Sequence, residues 1–128
     1  MRVLVDTHAF FWWILDRREL SAHARSIFAD EDNQILVSAV VAWELATKAR
    51  IGKWAEALPL ATTVAEIIEQ NRFLPFSVTV EHARGAGLLT GRHHDPFDRL
   101  LAAQSQIENV PLMTADPAFR FFGTAIIW

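Results

Sequence analysis

Short apolar runs recur along the chain, and most are followed by a stretch whose apolar side chains have helical spacing. The runs predict strands over residues 2–6, 34–38, 73–77, 111–116 and 124–128. Runs that are apolar throughout are typical of strands buried on both faces of a sheet. Pro75 confines the third strand to an edge or an end, because proline cannot donate a hydrogen bond to a β-ladder.

Helices are predicted between these strands. Their ranges are 7–16, 21–30 with Ser21 as cap, 39–50 with a stop at Ile51-Gly52, 63–71, 79–89 with Thr79 as cap, and 96–109. Strands that alternate with helices form a parallel sheet covered on both faces. The predicted fold class is therefore α/β, a three-layer α/β/α domain around a central parallel sheet of four to five strands. A chain of 128 residues fits a single domain over 1–128.

Composition narrows the class of protein. Hydrophobic residues make up 52% of the chain and charged residues 21%, which excludes a disordered protein. The chain has no cysteine, so thiolate metal sites and disulfides are excluded and the cytoplasm is the expected compartment. No apolar run approaches the roughly 18 residues of a membrane span, so no membrane association is expected. The net charge of −3 does not by itself indicate a nucleic-acid-binding protein.

Four carboxylates are candidate site residues, and three of them fall near strand ends or helix starts. Asp6 ends the first predicted strand, Asp116 ends the fourth, and Asp98 lies in the first turn of the helix before the fourth strand. Glu44 lies inside the apolar stretch VVAWELA of the helix after the second strand. Ligands of open α/β sheets bind at the carboxyl ends of the strands, where these acids are expected.

Each carboxylate also has a purely structural interpretation. Asp6 and Asp116 can cap the helices that follow them, and Glu44 can pair with Lys48 at the i,i+4 spacing. In the stretch HHDPFDRLLAAQ, Asp95 is the expected N-cap and Pro96 the first helical residue, which leaves Asp98 only partly explained.

Taken together, the four acids favour a metal site. Ionised carboxylates that share one edge repel each other and need a cation or raised pKa values. An all-oxygen ligand set suits a hard ion, Mg²⁺ or Mn²⁺. Such an ion can activate water and stabilise the leaving oxygen during phosphodiester cleavage, so the residues predict a metal-dependent nuclease.

Four segments, VLVDTHAFFW, VSAVVAWELATKARIGK, HHDPFDRLLAAQ and LMTADPAF, occur in this order over nearly the whole chain. The ordered set resembles PIN-domain ribonucleases, and within them the VapC-type toxins of type II toxin–antitoxin systems. The resemblance implies a sheet of order 3-2-1-4-5, which places the first and fourth strands side by side. It also implies an endoribonuclease that cleaves cellular RNA with metal-activated water.

Carried over by position, the acidic quartet of that family falls on Asp6, Glu44, Asp98 and Asp116, with Thr114 as a polar companion. The resemblance implies that Asp6 and Asp98 are the main Mg²⁺ ligands. Glu44 and Asp116 then complete the site directly or through water. His93 and His94 are expected to contact phosphate or solvent, because the oxygen ligands suffice without them.

Two other functions remain open from the sequence. One is a noncatalytic RNA-binding or scaffold PIN domain in which the acids survive as helix caps. The other is a receiver-like or dehalogenase-like phosphoryl-transfer domain with Asp6 as nucleophile. This last is the weakest, because DTH lacks the second aspartate of a dehalogenase and the fifth strand lacks the lysine of a receiver.

Partners are predicted from the segment AFFWWIL at 9–15. Its seven consecutive apolar residues exceed the stripe that a helix needs against a sheet, so exposed aromatic surface is expected around Phe10, Phe11, Trp12 and Trp13. Such surface indicates an interface. The resemblance implies a homodimer and a cognate VapB-type antitoxin, and we expect a basic antitoxin side chain, an arginine, to reach the carboxylates.

Overall fold

The computed structural model describes residues 1–128 and contains one parallel five-stranded sheet. The strands are β1 (Arg2–Val5), β2 (Gln34–Ser38), β3 (Leu74–Phe76), β4 (Leu112–Met113) and β5 (Ile126–Ile127). Their order is β3-β2-β1-β4-β5, and every neighbouring pair is parallel. The predicted fold class and strand order are confirmed. Pro75 lies in β3, at the edge of the sheet as expected.

Helices cover both faces of the sheet. They are α1 (Thr7–Ile14), α2 (Ala22–Ala29), α3 (Ala39–Arg50), α4 (Leu58–Thr62), α5 (Val64–Gln70), α6 (Val80–Leu88) and α7 (Pro96–Glu108). Two 3₁₀ segments cover Ala55–Ala57 and Pro117–Phe122. The sequence did not predict α4 or the segment before it, because five residues are too few to show a helical period.

The central strand β1 is buried on both of its faces. Val3 and Val5 pack with residues of α1 and α2, whereas Leu4 packs with residues of α7 on the opposite face. This alternation follows from the two-residue period of a strand. No helix of the chain has both the length and the apolarity that crossing a bilayer requires.

Helix α1 is better covered than its sequence suggests. Phe10 and Phe11 are fully buried, and Trp12 and Trp13 are half-buried. Trp13 stacks on Phe28 of α2 with ring centroids 4.9 Å apart, so the second helix hides much of the surplus apolar surface. The expectation of a large exposed aromatic face on α1 is therefore wrong in its extent. The exposed large apolar side chains lie elsewhere and include Trp43, Val80, Leu88 and Phe121.

Candidate active site

Asp6 lies at the carboxyl end of the central strand, where β1 gives way to α1. Its backbone N–H donates to the carbonyl of Met113 at 3.1 Å, which fixes it beside the end of β4. The carboxylate is almost fully buried, and each of its oxygens accepts a hydrogen bond. Oδ1 accepts from the Ala9 N–H at 2.7 Å as the N-cap of α1, and Oδ2 accepts from the Thr114 hydroxyl. Asp6 is thus a helix cap and also a site residue.

Glu44 is the second buried carboxylate, and α3 carries it next to α1. One of its oxygens, Oε1, accepts a hydrogen bond from the Thr7 hydroxyl at 2.5 Å. The other, Oε2, accepts from the Lys48 ammonium one turn further along α3. The i,i+4 pair suggested by the sequence therefore forms, but it forms with a glutamate that is only 3% exposed, not with a solvated one.

Asp98 is presented by the first turn of α7. Asp95 caps this helix and accepts hydrogen bonds from the backbone N–H groups of Phe97 at 2.8 Å and Asp98 at 3.2 Å, as the sequence predicted. The carboxylate of Asp98 is hydrogen-bonded through Oδ2 to His93 Nε2 at 2.5 Å. His93 was expected to contact phosphate or solvent, whereas in the structure it contacts this carboxylate.

Asp116 differs from the other three because it is exposed. Its Oδ1 accepts from the Ala118 N–H at 2.9 Å and caps the 3₁₀ segment that follows. Its backbone N–H donates to the Thr114 hydroxyl at 3.0 Å, and that hydroxyl donates in turn to Asp6. Asp116 is therefore connected to the buried acids through Thr114 and not through its own carboxylate.

The electrostatics show which acids act on each other. Burial raises the pKa of Asp6 from 3.8 to about 7, with smaller contributions from the charges on Asp98 and Glu44, and against the hydrogen bonds from Thr114 and Ala9. Burial also raises the pKa of Asp98 from 3.8 to about 6, against the hydrogen bond from His93. The charges of three carboxylates, which lie at the end of β1, on α3 and on α7, thus act on one another.

Lys48 and His8 complete the surroundings of the acids. Burial lowers the pKa of Lys48, but the hydrogen bond and the charge of Glu44 outweigh it and the pKa rises above its usual value. Burial lowers the pKa of His8, although the charges of Glu44 and Asp116 act in the opposite direction. Sequence reasoning missed Thr7 and His8, although both directly follow Asp6 in the motif DTH.

The carboxylates of the site can be compared with the ligands that a divalent cation requires. No three histidine, aspartate or glutamate side chains converge closely enough to enclose a metal ion on their own. Asp6 and Asp98 nevertheless have the properties of ligands for Mg²⁺, because both are oxygen donors whose pKa values are raised by burial and by neighbouring carboxylate charges, so that a bound cation would favour their ionised forms. Mg²⁺ needs only one or two carboxylates and keeps several of its waters. The residues present therefore fit such an ion.

Comparisons with known proteins identify the family of the chain. The PIN domain family matches residues 3–123. The ribonuclease VapC22 of Mycobacterium tuberculosis is 28% identical over 118 residues, which cover 92% of this chain and 89% of that protein.

Solved structures share the fold. The VapBC2 complex of Rickettsia felis, bound to a DNA fragment of its promoter, contains a chain that matches with a TM-score of 0.71 and 17% identity, over 100% of this chain and 99% of that one. VapC20 of Mycobacterium tuberculosis, a toxin that cleaves the sarcin–ricin loop, matches with a TM-score of 0.67 and 16% identity, over 96% of both chains.

Proposed function

Because the chain belongs to the PIN domain family, we propose that it is a Mg²⁺-dependent endoribonuclease and the VapC-type toxin of a toxin–antitoxin pair. The observation that carries the proposal is the electrostatic interaction among Asp6, Glu44 and Asp98, three carboxylates from separate elements: the charge of Glu44 raises the pKa values of both aspartates. A fold does not need such an arrangement for stability, since like charges in a dry cleft oppose folding. Phosphodiester cleavage does need one, as a seat for a cation.

We assign the roles as follows. Asp6 and Asp98 hold the ion, and Mn²⁺ can replace Mg²⁺ on the same oxygen ligands. When bound, the ion activates the attacking water and neutralises charge on the phosphodiester. Thr114 holds the Asp6 carboxylate in place, and His93 does the same for Asp98.

Glu44 and Asp116 have supporting roles in the proposal. Glu44 is held between Thr7 and Lys48, and its charge adds to the negative potential that attracts the cation. Asp116 is exposed, and its Oδ2 makes no hydrogen bond within the chain. That oxygen is free to accept a hydrogen bond from the attacking water and to orient it toward the phosphorus.

The names of the similar proteins support the proposed partners. VapC22 is named a ribonuclease, and VapC20 is described as a toxin that cleaves the sarcin–ricin loop. The structural match from Rickettsia felis is a complex of toxin and antitoxin. We therefore propose RNA as the substrate, a VapB-type antitoxin as an inhibitory partner, a homodimer as the assembly and residues 1–128 as one domain. An arginine of the antitoxin is expected to take the place of the cation.

A noncatalytic RNA-binding or scaffold domain is the second candidate. Asp6, Asp95 and Asp116 each cap a helix, so these acids have a structural use without any cleavage. The two functions are separated by incubating purified protein with total RNA, with Mg²⁺ or with EDTA, and mapping the ends that appear. Defined cuts with Mg²⁺ and none with EDTA support the nuclease. RNA that is bound by the protein but stays uncut in Mg²⁺ supports the RNA-binding or scaffold domain.

A further inference from the structure

The chain contains only two lysines, and both line one small cavity next to the carboxylates. The cavity has a volume of about 250 Å³ and is lined by His8, Lys48, Lys53 and Trp54; we call it the lysine pocket. No carboxylate lines it. A concave surface with two ammonium groups is unusual in a chain whose net charge is −3.

The lysine pocket adjoins the candidate active site. Lys48 forms one wall of the pocket and contacts Glu44 Oε2. His8 forms another wall and directly follows Thr7, whose hydroxyl donates to Glu44 Oε1. A ligand in the pocket is therefore separated from the buried Glu44 only by the side chain of Lys48 or by the neighbouring residues His8 and Thr7.

A specific turn builds this pocket. Helix α3 ends at Arg50 with Ile51 as its C-cap, and Gly52 then adopts a φ of +81°, a conformation that other residues rarely take. The chain folds back so that the Trp54 N–H donates to the Lys48 carbonyl at 3.0 Å. The Trp54 ring stacks on His8 with centroids 4.7 Å apart and an interplanar angle of 17°. Both sides of the pocket are thereby fixed to each other.

The chemistry of the pocket selects an anion. Lys53 is exposed and forms no ion pair or side-chain hydrogen bond, whereas Arg17, Arg25 and Arg84 are each paired with a surface acid. The Trp54 ring is already in contact with His8 and with the buried Phe11, 4.6 Å away, so it offers little free surface for stacking a nucleobase. The group of the pocket that lacks a partner is the positively charged ammonium of Lys53, and a phosphate group would satisfy it.

We propose that the lysine pocket binds a backbone phosphate of the RNA, adjacent to the phosphodiester that is cleaved. The inference rests on the proposed function and names the contact that holds the substrate next to the acids. A polyanion needs such a contact here, because the carboxylates repel it on the neighbouring surface. Lys53 supplies the unpaired charge, and Lys48 supplies a second charge from the edge of the active site.

The first test measures RNA binding and RNA cleavage in matched variants. Lys53→Gln is compared with Lys53→Arg and with Arg84→Gln, which removes one positive charge from the exposed surface of α6. Fluorescence anisotropy with a labelled single-stranded RNA in EDTA gives the dependence of affinity on salt. Loss of one phosphate contact should lower the slope of log K against log salt by about 0.7. In Mg²⁺, Lys53→Gln should raise KM several-fold and leave kcat nearly unchanged.

The outcomes separate the two proposals. If the wild type cleaves RNA and Lys53→Gln equals it in salt slope and KM, the lysine pocket is not a phosphate site although the nuclease function stands. The same holds if Arg84→Gln weakens binding as much as Lys53→Gln. If the wild type neither binds nor cleaves RNA, both proposals fail.

The second test uses the scarcity of lysines. An acetylating reagent modifies only Lys48, Lys53 and the terminal amine, and mass spectrometry reads the extent at each. Single-stranded RNA should slow acetylation of Lys53 and leave the terminal amine unaffected. Unchanged labelling at saturating RNA contradicts the inference. Protection by polyglutamate and not by RNA would assign the pocket to an acidic protein segment and would also overturn it.

Discussion

The hydroxyl of Thr114 donates a hydrogen bond to Asp6 Oδ2 and so joins two residues that lie 108 positions apart in the sequence. The same hydroxyl accepts a hydrogen bond from the backbone of Asp116. Thr114 is fully buried at the end of β4, next to the end of β1. One side chain thus sets the orientation of the buried acid and the position of the exposed one.

Thr114→Val should lower the free energy of unfolding by about 1 kcal/mol, because it removes both hydrogen bonds at constant side-chain shape. The pKa of Asp6 should also rise above about 7, since the Thr114 hydrogen bond lowers it. Urea unfolding at several pH values measures both effects. Thr114→Ser keeps the hydroxyl and is the control; equal loss in both variants would mean that packing, and not the hydrogen bond, matters here.

Asp6→Asn and Asp98→Asn should each reduce the rate of RNA cleavage by roughly two orders of magnitude or more. The amide lacks the negative charge that holds the cation, and a bound cation stabilises the transition state by several kcal/mol. The fold should persist, since the amide oxygen can still cap α1 or face His93. Initial rates on a defined RNA, with circular dichroism for folding, are the measurement. The exposed Asp32→Asn is the matched control. Full activity in Asp98→Asn would mean that Asp98 does not bind the cation and serves only as an acidic residue at the start of α7.

Stability without metal should fall as pH rises from about 4 to about 7. The folded state holds protons on Asp6 and Asp98 more tightly than the unfolded chain does, because their pKa values are raised to about 7 and about 6. Raising the pH through this window therefore favours unfolding. Melting temperatures of the wild type and of Asp6→Asn in EDTA test this. The melting temperature of the variant should rise relative to that of the wild type as the pH is raised toward 8. Mg²⁺ should stabilise the wild type more at pH 8 than at pH 5.

His93→Gln should raise the pKa of Asp98 above about 6, because the hydrogen bond from His93 is what lowers it most. Carboxyl carbon chemical shifts of ¹³C-labelled aspartate, followed through a pH titration, report this directly. Because Asp98 would then ionise at a higher pH, the variant should need a higher pH than the wild type to reach the same affinity for Mg²⁺. His94→Gln is the neighbouring control, since His94 is exposed and makes no hydrogen bond. An unchanged Asp98 titration would show that the contact does not persist in solution.

The proposed homodimer predicts that an exposed aromatic anchors the interface. Phe121 is 81% exposed, far more than Trp12 on α1, so Phe121→Ala should weaken association more than Trp12→Ala. Light scattering over a concentration series measures the dissociation. Trp13 is less suitable, because it stacks on Phe28 and donates to Asn71, and its loss would affect folding. A wild type that remains monomeric at high concentration would contradict the homodimer.

Sequence patterns predicted most of the fold because its elements are local. The apolar run of β2 and the amphipathic run of α3 gave their ranges as the structure has them, and Ser21, Thr79 and Asp95 cap the helices expected of them. The coverage of α1 could not be predicted in the same way. It depends on where α2 and the residue Trp128 lie in space, and helical period does not encode that.

The same distinction between local sequence features and tertiary contacts applies to the candidate site. Three of the four acids were recognisable from their positions at strand ends and helix starts, and Glu44 from its place within an apolar helical stretch, which are local features. The partners of these acids were not recognisable in this way, apart from Lys48 at the i,i+4 spacing and Thr114, which the family resemblance implied as a polar companion. The contact of Thr7 with Glu44 spans 37 positions and depends on how α1 meets α3. The lysine pocket was missed for a similar reason, since Lys53 and His8 come together only through the turn after α3.

The position of β1 in the middle of the sheet affects when the protein can become active during its synthesis. Asp6 leaves the ribosome near the beginning, yet its neighbours on β4 and the hydroxyl of Thr114 are made near the end. A ribosome that adds about 5–20 residues per second therefore exposes an incomplete centre for several seconds, with the two halves of the sheet still apart. The proposed ribonuclease activity is therefore not possible until nearly the whole chain has emerged. That delay would give the proposed antitoxin time to bind first.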